Sequence, residues 1–152
     1  EDFVQVGSPF QLYYQYEVLC RLGETDRVMK DIQKRWGEML RYDSTTCWEV
    51  FPGFYENTRT RSYCHAWSAS PALFMQKYLT GIQMEVEGFR EITVDLQEPK
   101  LEWCRSSIPT PFGAIDLDWD QSDGHLLLRL PQEIRLRALR AEGFQVRIER
   151  TI

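Results

Sequence analysis

Residues 45–71 read TTCWEVFPGFYENTRTRSYCHAWSASP and place one carboxylate and one imidazole among aromatic rings. Glu49 follows Trp48 and precedes Val50 and Phe51, while His65 stands between Cys64 and Ala66-Trp67. Apolar surroundings disfavour the charged form of a carboxylate, and a carboxyl group in such company can work as acid or base near neutrality. A histidine beside it can hydrogen-bond a ligand. Trp48, Phe51, Phe54, Tyr55, Tyr63 and Trp67 add flat apolar faces. Sugars are bound by this combination, their C–H faces on aromatic rings and their hydroxyls on a few polar groups. Each residue also has a plainer reading: Glu49 as a surface carboxylate, His65 as a satisfied core histidine, the rings as core packing. No Ser/His/Asp ordering, glycine-rich phosphate cradle or metal-ligand spacing points elsewhere, so neither cofactor nor metal is expected.

Helices must hold this loop. Ser8 followed by Pro9 is a cap with proline at the first helical position, and Gly23 supplies the stop. Between them Phe10, Tyr13, Tyr14, Val18 and Leu22 fall at helical spacing. Thr25 restarts a second helix, in which Val28, Ile32, Trp36 and Leu40 recur every four residues. The short link makes the two an antiparallel hairpin. After the loop, Ser70-Pro71 repeats the cap, and a third helix runs ALFMQKYL to Gly81.

Beyond Gly88 the period becomes two. Ile115, Leu117 and Trp119 alternate with Asp116 and Asp118, and Leu126, Leu128 and Leu130 form a second series. Ile134 with Leu136, and Phe144 with Val146 and Ile148, give two more, with turns at residues 121–124 and 142–143. The segment EITVDLQEPKLEWCRSSIPTPFG supplies two or three further strands. Helices followed by antiparallel strands predict an α+β chain of two units, with the boundary near residues 82–90. Three helices cannot cover all their apolar faces, so they must dock on the β unit or complete a larger helical domain.

Acids and bases interleave along the 152 residues to a net charge of −5, which argues against nucleic acid or an anionic membrane as partner. No apolar run approaches the ~20 residues that cross a bilayer. Cys20, Cys47, Cys64 and Cys104 lack a C-x-x-C pair and are expected as small buried thiols, with Cys47 and Cys64 at the two ends of the aromatic stretch. The opening EDFVQVGSPF has neither Met nor a signal-like segment, which suggests a piece of something longer.

The order GSPF, a helical hairpin, WGEML, TTCWEVF, SYCHAWSASP and IPTPFGAIDLDW resembles the C-terminal part of the α-L-rhamnosidases, inverting glycoside hydrolases. TT-x-WE followed by CHAWSASP is the specific part of the match. The resemblance implies that residues 1–85 are the final helices of an (α/α)6-barrel catalytic domain and 86–152 a C-terminal antiparallel β-sandwich. It puts the aromatic loop at the barrel mouth, with Glu49 as the general base, His65 touching the sugar, and Trp48 and Trp67 as walls. Inversion also needs a general acid. The family's acid lies in a motif upstream of anything present; Glu56 and Asp43 are stand-ins by proximity only. The expected partners are a rhamnose-containing glycoside or polysaccharide and the missing N-terminal part of the barrel, with self-association through exposed helices if that part is absent. The alternatives are a non-catalytic carbohydrate-binding or accessory module, and a structural domain.

Overall fold

The structure, a computed structural model, describes residues 6–54, 56, 59–96 and 101–152. They form two compact units, Glu1–Leu73 and Phe74–Ile152.

The first unit is built on a hairpin of α1 (Pro9–Arg21) and α2 (Thr25–Arg41). The Ser8 hydroxyl accepts from the Phe10 amide at 3.4 Å, one helical donor satisfied. At the other end Glu24 N–H donates to the Leu19 carbonyl and Gly23 N–H to that of Cys20, while Gly23 takes φ +82. That pattern closes a helix where glycine tolerates the left-handed backbone. α1 carries two apolar stripes, and the packed one is Pro9, Leu12, Tyr16 and Cys20. The series read from the sequence lies on the other side: Phe10, Tyr14, Val18 and Leu22 are exposed, from 43% at Phe10 to 72% at Leu22. On α2, Val28, Ile32 and Met39 are buried, whereas Leu40 is exposed. The Tyr16 hydroxyl donates to Asp31 at 2.6 Å, and Arg35 holds the same carboxylate at 2.8 Å. Burial and then Asp31 keep that phenol protonated well above its ordinary range. A short 3-10 turn, Ala66–Ala69, leads into α3 (Ser70–Leu79), which runs on into the second unit.

The second unit holds seven strands: β1 (Ile82–Val86), β2 (Glu91–Asp95), β3 (Trp103–Thr110), β4 (Gly113–Asp120), β5 (His125–Pro131), β6 (Arg135–Arg140) and β7 (Gln145–Thr151). They make a three-stranded sheet, β1-β2-β6, and a four-stranded sheet, β3-β4-β5-β7. One core joins the sheets, with Ile82, Ile92 and Val94 on one side and Ile115, Leu117, Trp119, Leu126 and Leu128 on the other. Each such side chain stabilises the fold by about 1.5–3 kcal/mol relative to exposure. The chain is thus α+β, helices followed by a β-sandwich.

β1 begins before the change of period read at Gly88, and all but its last residue lies within the span assigned to helices. Gly81 sets its start: at φ +69, a Cβ there would sit 2.6 Å from the Asp95 carbonyl oxygen. The pairings β2–β6 and β5–β7 are parallel, because the turn at 142–143 carries the chain from one sheet to the other instead of closing a hairpin. Val146 and Ile148 share a face with their partners Leu126 and Leu128, yet both are exposed on the edge strand. Residues 97–100, part of the segment expected to add strands, lie outside the described residues. No helix among the described residues is long and apolar enough to cross a membrane.

Candidate functional site

Two stretches of the loop between α2 and α3 run beside each other. Glu49 N–H donates to the Ser62 carbonyl at 3.0 Å, and His65 N–H to that of Cys47 at 2.8 Å. The Thr46 hydroxyl bonds the Tyr63 carbonyl, and buried Thr60 accepts from the Val50 amide at 3.3 Å and donates to the Ser62 carbonyl at 3.2 Å. These short polar residues satisfy backbone groups that a loop of large rings leaves unpaired.

The pairing sets Glu49 beside His65. The Glu49 Oε2 lies 4.0 Å from His65 Nδ1, and the side chains keep 24% and 27% of their exposure. His65 Nδ1 is closed off from solvent and has no hydrogen-bond partner among the described residues, so Nε2 is the nitrogen left for a ligand. The His65 ring stacks on Trp67 with centroids 4.0 Å apart, and Trp67 meets Phe10 of α1 at 5.4 Å. Trp67 stays partly exposed. The turn that carries it is tied to α2, where Trp36 Nε1–H donates to the Ser68 carbonyl at 2.8 Å. A partly buried carboxylate, an imidazole and an exposed indole are thereby gathered at one spot, able to orient a water and a sugar hydroxyl.

The other rings point elsewhere. Trp48 is buried between Tyr42 and Tyr63, with centroids at 6.1 and 5.1 Å, and offers no open face. Its neighbour Glu49 stays partly exposed. Phe51 is buried edge-on against Trp36 at 5.0 Å. Phe54 lies on Gly7, where a Cβ would overlap its ring, and Gly7 accepts from the Phe51 amide at 3.1 Å. Asp43 and Glu56 are exposed, and Tyr55 lies outside the described residues. Phe10, the F of GSPF, is read from the sequence only as part of a helical stripe, and it is the α1 residue that meets Trp67. Its signal was the short motif placing an aromatic directly after a helix cap. Among the described residues, no group of three or more His, Cys, Asp or Glu is set to hold a metal.

Two family models match the chain. Residues 7–79 match the bacterial alpha-L-rhamnosidase 6 hairpin glycosidase domain, and 81–136 the bacterial alpha-L-rhamnosidase C-terminal domain. The GH78 family rhamnosidase of Bacillus sp. GL1 is similar in structure, with TM-score 0.80 and 37% identity over 97% of this chain and 16% of that one. The Streptomyces avermitilis alpha-L-rhamnosidase, solved with L-rhamnose, shares the fold at TM-score 0.58 and 21% identity, over 69% of this chain and 11% of that one. An alpha-L-rhamnosidase of Alteromonas sp. (strain LOR) is 27% identical over 119 residues, 71% of this chain and 13% of that protein. The chain therefore spans only a small part of the length of these relatives.

Proposed function

The chain belongs to the bacterial α-L-rhamnosidase family, and on that premise we propose that it carries one half of an inverting rhamnosidase site. Glu49 is the general base that takes a proton from the attacking water. His65 hydrogen-bonds a hydroxyl of the terminal α-L-rhamnose through Nε2, and Trp67 lies along the sugar's C–H face. Trp48 backs the loop from inside instead of walling the pocket. The observation that carries this reading is the gathering of Glu49, His65 and Trp67, with both spacings at 4.0 Å.

Inversion places a second carboxyl group about 6.5–9.5 Å from the base, leaving room for the water. That acid comes from an earlier part of the same barrel, so these residues alone do not turn over substrate. The helices close the barrel domain and the strands form the domain behind it. The exposed stripe Phe10, Tyr14, Val18 and Leu22 is covered by the rest of the barrel in the whole protein. Without that cover, self-association through this stripe is expected.

The test is hydrolysis of an aryl α-L-rhamnoside by the full-length protein, wild type beside Glu49→Gln, with the 152-residue chain as a third sample. Acid–base help is worth about 10²–10⁴-fold, so kcat should fall by that much with folding intact. A variant that keeps pace removes Glu49 from the role, and a wild type that hydrolyses no rhamnoside removes the substrate. Turnover by the short chain alone would contradict the half-site.

A second reading, a carbohydrate-binding module, draws on Trp103, 58% exposed on the outer face of the four-stranded sheet. Nearby, Arg105, Ser107, Asp116, Asp118 and Arg129 line a shallow depression. Arg105 pairs with Asp118, Ser107 with Asp116 and Arg129 with Glu149, so the polar groups of this face are largely spent on one another. Sugar binding that survives Glu49→Gln and Trp67→Ala but is lost in Trp103→Ala would favour this reading.

A further inference from the structure

The expectation of small buried thiols holds for Cys20 and fails for Cys64, which is exposed; Cys47 and Cys104 are partly buried, and none of the four is in a disulfide. The Cys47 carbonyl accepts at 2.8 Å from the N–H of the peptide that joins Cys64 to His65, so Cys47 lies against the Cys64–His65 link. One step further in, Trp48 and Tyr63 meet edge-on at 5.1 Å, and Glu49 N–H donates to the Ser62 carbonyl at 3.0 Å. The two backbone bonds differ by one residue in register, so the pairing is irregular at the cysteines. A shared peptide hydrogen bond of this kind leaves the two Cα atoms about 5–7 Å apart, and a disulfide spans Cα separations of about 4.4–6.8 Å. Burial first, and then the neighbouring Cys64 thiol, push Cys47 above the ordinary thiol range, so the two sulfurs lie within each other's field.

We propose that Cys47 and Cys64 form an oxidisable dithiol at the neck of the site loop, closed to a disulfide by exchange with a small-molecule disulfide such as oxidised glutathione. Cys64 is the accessible partner and reacts first: its thiolate attacks one sulfur of the small disulfide, and one small thiol leaves. The Cys47 thiolate then attacks the Cys64 sulfur of the mixed disulfide, and the second small thiol leaves. The protein gives up two electrons and two thiol protons, and the small disulfide is reduced to two thiols. The link joins the stretch that carries Glu49 to the one that carries His65, so it locks their approach covalently. This inference rests on the loop alone and holds whether or not Glu49 is a catalytic base.

The test uses the full 152-residue chain, reduced and then equilibrated under native conditions with excess oxidised glutathione. Free thiols are alkylated and the peptides mapped by mass. The expected result is loss of two alkylatable thiols, a single Cys47–Cys64 link, and Cys20 and Cys104 still alkylated. Cys47→Ala should accumulate the glutathione adduct on Cys64 that the wild type resolves. A wild type that stops at that adduct with Cys47 free overturns the proposal, as does a link to Cys20 or Cys104, or no thiol loss. A second readout needs no variant: protease cleavage between residues 48 and 63 should be slower in the oxidised chain than in the reduced one. Equal rates would show that the link does not hold the loop.

Discussion

Trp36→Phe separates what holds the turn bearing Trp67. The indole Nε1–H donates to the Ser68 carbonyl at 2.8 Å, and the ring also meets Phe51 at 5.0 Å and Tyr16 at 6.4 Å. A phenyl ring keeps most of that packing and loses only the donor, a net hydrogen bond of about 0.5–1.5 kcal/mol. Ser68 has no solvent exposure, so its carbonyl finds no water as a substitute, and the total rises to about 1–3 kcal/mol. Ser68→Ala is the control. Its hydroxyl is buried without a hydrogen-bond partner among the described residues, so removing it should be neutral within about 0.5 kcal/mol or stabilising. The assay is urea unfolding followed by helical circular dichroism. With slopes of about 1–3 kcal/mol/M, Trp36→Phe should lower the midpoint by about 1 M and Ser68→Ala should leave it in place. Equal losses in the two variants, or no loss in Trp36→Phe, would mean that this bond does not anchor the turn.

Three more perturbations test other parts of the structure. Gly7→Ala puts a Cβ into the Phe54 ring, which must swing away; about 0.5–1.5 kcal/mol of stability should be lost, together with faster proteolysis after Phe54. Val18→Lys, on the exposed stripe of α1, should change unfolding by less than about 0.5 kcal/mol while cutting hydrophobic-dye binding and self-association measured by light scattering. The hydrogen bond that His125 donates to Asp123 at 2.6 Å, and then Asp118, raise the pKa of His125 above its ordinary 6.5. A pKa raised on folding gives stability that is complete below the unfolded value and is lost as pH rises through the folded one. Thermal midpoints should therefore fall above about pH 6.5 in the wild type and flatten in His125→Gln; parallel curves would refute the assignment.

The helical hairpin was legible because its boundaries are local chemistry: Ser8-Pro9 at one end, and Gly23 in a backbone only glycine adopts easily. The packed face of α1 was not, since Phe10, Tyr14, Val18 and Leu22 recur as regularly as Leu12, Tyr16 and Cys20, and spacing cannot say which stripe finds a partner. The strands through Trp119 and Leu128 announced themselves by alternation. β1 did not, for IQMEV follows Gly81 directly with only five residues to show a period. Within the loop, residue types singled out Glu49 and His65 among six aromatic rings, the resemblance chose Trp48 and Trp67 from those rings, and the structure sets only Trp67 of the two beside the pair. The inward turn of Trp48 depends on backbone pairing with residues 62–65, which composition does not encode.

The two parallel pairings also set an order of events in time. β3, β4 and β5 follow one another with short turns and can zip up locally, whereas β2 (Glu91–Asp95) must wait for β6 (Arg135–Arg140), and β7 needs β5 already in place. Loop closure has to be met before such distant contacts give anything back, so folding of this unit is governed by the arrival of its last two strands. On a ribosome, β1 and β2 emerge early with their parallel edge unpaired and stay so until residue 140 is made. Mutations in β6 should therefore slow refolding, and those in the β3–β4 turn, formed before the slow step, should slow it too while leaving the rate of coming apart nearly unchanged.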